Sequence, residues 1–384
     1  MHTFTTVSKL VTGAGCFDQL GELAKQLGRR ALVVTGRRSM RRAGLTDRAC
    51  GLLQAAGVEV LLFEDVSREP SDADVDAGRA RCRAERCGLV IGIGGGSAMD
   101  AAKSIAALAN ADAPTAEYIK GRPADARDPL PCIAVATTSG TGAEVTPNAV
   151  LSWPGGRLKA SIRGAGILPT VALVDPDLTL TCPPGVTAAS GMDALTQAIE
   201  SYVSIHATPL TEALSLHAAE LMLANLPEAY AHGDNRAARE GCAYGSTMAG
   251  IALANARLGV VHGIAHPLGI RCHIPHGVCC AALLPASIRL NRTAAAAKYD
   301  RLSQVAGADI EKVAERLLTE LGLDRAFGEY EINERDLPEI ARESMPSGSL
   351  KANPKKVTEE DVLNILSRCL PHHKNTTTRQ PDKP

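Results

Sequence analysis

From Ala31 onward the chain alternates apolar runs with helical patterns, and this alternation constrains its N-terminal half more than any other feature. The runs are ALVVTG, VEVLLFE and GLVIGIGGGS; AGLTDRACGLLQAAG and Asp72–Arg86 stand between them, and a further helical pattern runs from Ala98 to about Ala109. Strands separated by helices of this length build βαβ units, which make a parallel sheet covered on both faces. Such sheets hold nucleotides in the crevice outside the carboxyl ends of their strands.

Two loops suit that crevice. The run Leu89–Ile93 ends in Gly94, Gly95, Gly96 and Ser97 and leads straight into a helical pattern. Glycines let a backbone approach a phosphate, and the free N–H groups of a new helix favour its charge. Ser97 with Asp100 also reads as a capping pair for that helix. A plain strand-to-helix turn would produce the same letters, because GGGS is not the GxGxxG fingerprint. The apolar Cys132–Ala136 run is followed by Thr137, Thr138, Ser139, Gly140, Thr141, Gly142, Ala143 and Glu144. Hydroxyls on such a loop can bond a ribose or phosphate, and its glycines allow a flat ring close. The run from Val171 to Leu180 reads as a strand ending in an Asp-Pro turn, and TCPPG after it marks a boundary.

Beyond Gly185 strand signals fade and helical periodicity takes over, through Ala188–Tyr202, Leu210–Ala224, Arg236–Ala256 and onward to Leu370. The expected fold is an α/β N-terminal domain at 1–183 and an all-α C-terminal domain at 184–370. The segment 371–384, without apolar periodicity, is expected to be a disordered tail. Four of the ten histidines, His262, His266, His273 and His276, fall within fifteen residues. Imidazole titrates near neutrality and is a common ligand of iron and zinc, so the cluster points to a metal, to proton transfer, or to both. His262 and His266 share a helical face, while Pro267, Gly269 and Pro275 are expected to break the helix and fold His276 back. Asp193 and Gln197 are likewise spaced i, i+4 on one helix, and Asp193 facing the histidines would complete a site for divalent iron or zinc.

Composition sets the outer limits. A length of 384 residues fits about two domains. A formal net charge of -1 gives no support to nucleic-acid binding or to a charge-driven membrane role. The first residues show no basic n-region or apolar h-region, and no run reaches a spanning length, so a cytoplasmic protein without membrane attachment is expected. The eleven cysteines form no CxxC pair and read as reduced thiols.

Taken together, GIGGGSAMDAAK, TTSGTGAEVT, VDPDLT, GMDAL and HGIAHPLG followed by PHG resemble the iron-containing (group III) alcohol dehydrogenase family, from about Lys9 to about Leu366. The resemblance implies a dehydroquinate synthase-like architecture: a dinucleotide-binding domain, a helical metal and substrate domain, a metal in the cleft between them, and a homodimer or larger homo-oligomer. Matched residue by residue, Gly94, Gly95, Gly96 and Ser97 take the pyrophosphate, and Thr137, Thr138 and Thr141 lie by the nicotinamide. Asp193, His262 and His276 are metal ligands, and His266 relays a proton. The family's fourth ligand is a histidine where this chain has Gln197. An amide oxygen is a poorer donor, so either Gln197 or water fills the fourth place of an easily chelated metal, or the site works with little metal; three protein ligands suffice for a catalytic zinc, which favours the first.

A second departure concerns the cofactor. Many members carry an aspartate after the first strand that bonds the ribose, and the matching position here is Gly36, followed by Arg37, Arg38, Arg41 and Arg42. Losing that carboxylate and gaining guanidinium groups favours a 2′-phosphate, so NADP(H) is expected, with NAD(H) the alternative. The activity implied is hydride transfer between NAD(P)H and a small aldehyde or primary alcohol, aided by divalent iron or zinc. The alternatives are a metal-independent reductase similar to maleylacetate reductase, a biosynthetic reductase of, for example, a phosphonate aldehyde, and a dehydroquinate synthase-like lyase.

Overall fold

The computed structural model describes residues 2–124, 128–156 and 158–369; the expected tail at 371–384 lies outside them. Eight strands are present: β1 (Lys9–Thr12), β2 (Arg30–Gly36), β3 (Glu59–Val66), β4 (Leu89–Gly94), β5 (Cys132–Ala136), β6 (Asn148–Trp153), β7 (Leu158–Arg163) and β8 (Val171–Val174). Six of them form a parallel sheet in the order β1-β8-β5-β4-β2-β3. The apolar runs that define β2, β4 and β5 are buried throughout their centres, as a sheet covered on both faces requires. From β2 the chain steps outward to β3, then returns past β2 to β4 and continues to β5. Connections therefore diverge between β2 and β4, and Gly36 and Gly94 sit at the carboxyl ends of those two strands. That is the switch point at which open α/β sheets bind nucleotides.

Three strands escaped the sequence reading. β1 is a short edge strand beside β8, and it is held by the Asp-Pro turn: Asp175 Oδ1 accepts from the Gly15 N–H at 3.1 Å and Asp175 Oδ2 from that of Phe17 at 3.0 Å. β6 and β7 form an antiparallel hairpin outside the main sheet, turning at Pro154–Gly156. The expected cap of the Gly96–Leu108 helix is also different. Its N-cap is Gly95 without a side-chain bond; Ser97 Oγ donates to the Arg68 carbonyl at 2.6 Å, and Asp100 accepts from the Val150 N–H and faces Lys103.

After β8 and a short Pro176–Thr179 turn of 3₁₀ helix, the described residues from Pro184 onward hold helices and no strand. Three long helices, Pro184–Val203, Pro209–Ala231 and Arg236–Ala256, pack on one another beneath two shorter ones, Val260–Cys272 and His276–Asn291. Pro267 does not break the helix that carries it. The helix runs on to Cys272 and stops where His273 adopts the left-handed conformation at φ 56°, letting the Ile274 N–H return to the Gly269 carbonyl at 3.2 Å. His273 thus has a structural task, and Pro275 then opens the next helix.

The halves meet at the hydroxyl-rich loop. A Cβ on Gly140 would stand 2.6 Å from Ser190 Cβ, and one on Gly142 would stand 2.5 Å from Gly250 Cα. Glu144, buried, accepts from Thr247 Oγ1 at 3.1 Å. These two glycines are therefore needed for helix-to-loop packing, a role that the sequence does not reveal.

Gly250→Ala tests this contact. In an exposed helix the change would stabilise by about 1 kcal/mol. Here the new methyl meets Gly142 Cα at 2.7 Å and Val145 Cγ2 at 2.8 Å, and overpacking against backbone costs about 1–3 kcal/mol. The expected outcome is a melting temperature a few degrees lower; a higher one would show that the contact yields freely.

Candidate active site

The Pro184–Val203 helix presents Asp193, Gln197 and Glu200 at i, i+4 and i+7, all at most 4% exposed. Glu200 holds the start of the histidine helix. Its Oε1 accepts from the Val261 N–H at 2.6 Å and its Oε2 faces His262 Nδ1 at 2.6 Å. Negative charge at a helix N-terminus is favourable, so one carboxylate both caps the helix and aims its first imidazole. A buried Asn291–Asn353 pair completes the anchor: Asn353 Oδ1 accepts from the Val260 N–H at 3.2 Å.

His262 is consequently pinned between two carboxylates, with Nε2 3.1 Å from Asp193 Oδ1. A neutral imidazole carries one N–H and cannot donate to both. Burial works against a charge on His262, but Cys280, Asp193 and Glu200 outweigh it and push the imidazole well above its ordinary range. The Nε2 position therefore calls for a cation, whether a proton or a metal. Burial opposes ionisation of Asp193 too, yet His276, His262 and Gln197 prevail and hold its carboxyl below the usual value.

His276, first residue of the next helix, brings Nε2 to 3.7 Å from Asp193 Oδ1. Burial pushes this imidazole down to about 4 despite Asp193, so its ring offers a lone pair at neutral pH. Gly277 makes the approach feasible, because a Cβ there would stand 2.2 Å from the Ala189 carbonyl oxygen. His266, one turn beyond His262, stacks on His276 with centroids 4.9 Å apart. Burial, then His276, His262 and Lys159, hold His266 well below its ordinary value and therefore neutral.

Cys280 is a fourth residue of the cluster. Its Sγ lies 3.5 Å from His276 Nε2 and 3.9 Å from His262 Nε2, and the donor atoms of Asp193, His262, His276 and Cys280 all fall within 4.8 Å of one another. Burial pushes the thiol up to about 12. Next to this set Gln197 Oε1 is buried without a hydrogen-bond partner. One carboxylate, two imidazoles, a thiol and an orphaned amide oxygen fit a divalent iron or zinc ion.

Sequence reasoning named Asp193, Gln197, His262, His266 and His276, and the fold brings all five together. It missed Glu200 and Cys280. Both follow from helical spacing: Glu200 is seven residues after Asp193, and Cys280 four after His276.

The residues expected to meet a nucleotide lie around the switch point. Thr137 N–H donates to the Gly94 carbonyl at 3.0 Å, and Cβ atoms on Gly95 and Gly96 would meet Thr138 Oγ1 at 3.2 Å and Thr141 Cγ2 at 2.8 Å. The two loops therefore lie against each other. Gly36 is different: a Cβ there would meet Ser39 Oγ alone, at 3.9 Å. Arg37, Arg38, Arg41 and Arg42 are exposed. Arg41 is already paired with Glu64, and Arg37 Nε donates to the Asp65 carbonyl at 3.3 Å.

Comparison with known proteins agrees with this arrangement. A family model described as iron-containing alcohol dehydrogenase matches residues 7–176, and one for the C-terminal region of the Fe-containing alcohol dehydrogenase family matches 187–370. The chain belongs to the iron-containing alcohol dehydrogenase family. It is 36% identical to a 1,3-propanediol dehydrogenase of Klebsiella pneumoniae, covering 93% of this chain and 96% of that one. It is 32% identical to an NAD-dependent methanol dehydrogenase of Bacillus methanolicus, covering 96% of this chain and all of that one. A crystal structure of 1,3-propanediol oxidoreductase superposes with a TM-score of 0.91 at 34% identity, over 96% of this chain and 100% of that one. The α/β half, the helical half and the activity class of alcohol and aldehyde oxidoreductases are thereby established; the lyase and the metal-independent reductase are not favoured.

Loss of a ligand's hydrogen-bond partner costs about 10- to 100-fold in metal affinity. Glu200→Gln is expected to weaken metal binding by about that factor, measured by competition with a chelator; unchanged affinity would mean that Glu200 serves the helix alone.

Proposed function

We propose that this enzyme interconverts a small primary alcohol and its aldehyde with a nicotinamide cofactor, using a divalent metal held by Asp193, His262 and His276. The observation that carries the reading is one segment of helix: Ser190 packs on Gly140 of the cofactor loop, Ala189 packs on Gly277 beside His276, and Asp193 follows one turn later. The loop read as the nicotinamide side and the metal cluster thus share a wall. When bound, the metal would supply Lewis-acid polarisation of the substrate oxygen, and the oxidised nicotinamide would take the hydride from the alcohol, or the reduced one return it to the aldehyde.

The chain's own residues do the rest. Asp193 and His276 present lone pairs to the cation, and Glu200 fixes the ring of His262 so that Nε2 faces it. His266 is neutral and half-buried against His276, so a ring nitrogen can accept the alcohol proton and pass it toward solvent. Gly94–Ser97 and Thr137, Thr138 and Thr141 form the cofactor's phosphate and nicotinamide contacts. Removal of a positioned acid–base group typically costs about 10²- to 10⁴-fold. His266→Ala is expected to lower kcat by at least the smaller factor with the metal retained, whereas His262→Ala loses both; the opposite pattern of metal content would exchange the two roles.

For the cofactor, Gly36 supports NADP(H): no carboxylate stands at the end of β2, and among the described residues neither Arg37 nor Arg38 is in an ion pair. The methanol dehydrogenase relative is NAD-dependent by name, so the preference is a property to measure in this chain. Because a side chain at Gly36 has room, Gly36→Asp is expected to reverse the ratio of kcat/KM for NADPH over NADH, followed at 340 nm with a panel of aldehydes. A wild-type preference for NADH would overturn the assignment. A homo-oligomer formed through the exposed edge strand β1, where Leu10 is 41% exposed, and a reducing cytoplasm, in keeping with eleven free cysteines, complete the proposal.

A further inference from the structure

Gln197 makes the metal site look incomplete when only the histidine pattern is considered. The structure places another donor there. Cys280 lies one turn after His276 on the His276–Asn291 helix and is fully buried, and its sulfur faces the same point as Asp193 Oδ1, His262 Nε2 and His276 Nε2. Bonds of roughly 2.0 Å to nitrogen or oxygen and about 2.3 Å to sulfur give a tetrahedron with edges of about 3.3–3.6 Å. Four of the six separations are 3.1 Å for His262 to Asp193, 3.7 Å for His276 to Asp193, 3.5 Å for Cys280 to His276 and 3.9 Å for Cys280 to His262, and all six are within 4.8 Å. These four scatter about those edges within a few tenths of an ångström, so side-chain movements would suffice to enclose an ion.

We infer that Cys280 is a metal ligand of this enzyme, completing an Asp-His-His-Cys set in which its sulfur supplies the fourth bond that Gln197 is poorly suited to make. This rests on the metal-dependent reading above and adds to it the identity of the fourth ligand and of the ion. A sulfur donor shifts preference toward a softer ion, so the set selects zinc over magnesium or manganese and holds it more firmly than three ligands and an amide would. Gln197 Oε1, buried and unpartnered one turn from Asp193, is left to accept a hydrogen bond from a water or a substrate hydroxyl at the open face. Four protein donors still leave a zinc ion able to become five-coordinate during reaction.

The test is the absorption spectrum of the full-length protein loaded with Co2+ alone. The visible d–d bands report whether the site binds a metal, and a near-ultraviolet sulfur-to-cobalt charge-transfer band reports whether a cysteine is bound to it. Wild type, Gln197→Ala and Cys279→Ser are expected to show both; Cys279 is the control because its sulfur donates to the Ile274 carbonyl instead. Cys280→Ser is expected to keep the d–d bands, lose the charge-transfer band, and bind Zn2+ more weakly by more than the roughly 10- to 100-fold cost of a lost hydrogen-bond partner. Wild type with d–d bands and no charge-transfer band overturns the inference without needing any variant. Wild type with neither band overturns the metal-dependent reading itself.

Discussion

The arrangement of the site depends on the carboxylate of Glu200. It reaches from the Pro184–Val203 helix under the first turn of the Val260–Cys272 helix, accepting a backbone N–H with one oxygen and facing the Nδ1 of His262 with the other. A buried carboxylate is costly unless its oxygens are fully partnered, and the free N–H groups of a helix start are what it needs. The same contact fixes where the histidine helix begins and how its first imidazole is turned. Asp193, two turns earlier on the Glu200 helix, then lies opposite Nε2. The cluster is thus built by two helices that lock each other in register.

The second constraint is close packing at glycine. The nucleotide half contributes a loop whose Gly140 and Gly142 are pressed onto Ser190 and Gly250 of the helical half, and Gly277 is pressed onto Ala189. Two of these contacts, at Ser190 and Ala189, fall on one stretch of the Pro184–Val203 helix, and the third falls on the Arg236–Ala256 helix. The hydroxyl-rich loop and the Asp193 cluster are therefore referenced to one helix, as the proposed reaction requires, since hydride would travel between two bound groups held at a fixed distance.

Much of this was legible in the sequence. The strands β2 to β5 announce themselves because a doubly covered parallel sheet needs continuous apolar runs, and the long helices beyond Pro184 show their periodicity. β1 is only four residues with an exposed edge, too short for an alternating pattern, and the β6–β7 hairpin is mostly half-buried, with Ala149, Leu151 and Ile162 its buried residues. Pro267 does not end its helix because a helix packed on its neighbours tolerates one missing N–H, while the stop comes at the left-handed His273, two residues before Pro275, which the sequence also marks as a breaker. At the site, histidine and aspartate draw attention by their chemistry. Glu200 was hidden because a glutamate in a helix usually faces solvent, and Cys280 because a buried cysteine usually only fills space. The glycines of TTSGTGAE read as space for a ligand, and their packing on the helical half is not legible, because one sequence cannot show which partners a bare backbone is meant to meet.

The central claim is that Asp193, His262 and His276 gather to hold one divalent ion in the wall shared with the cofactor loop. The most direct measurement is anomalous X-ray scattering at the zinc edge from crystals of the zinc-loaded protein. The account predicts a single strong peak within bonding distance of Asp193 Oδ1, His262 Nε2 and His276 Nε2. Zinc bound elsewhere, with that position showing no anomalous signal, would contradict it.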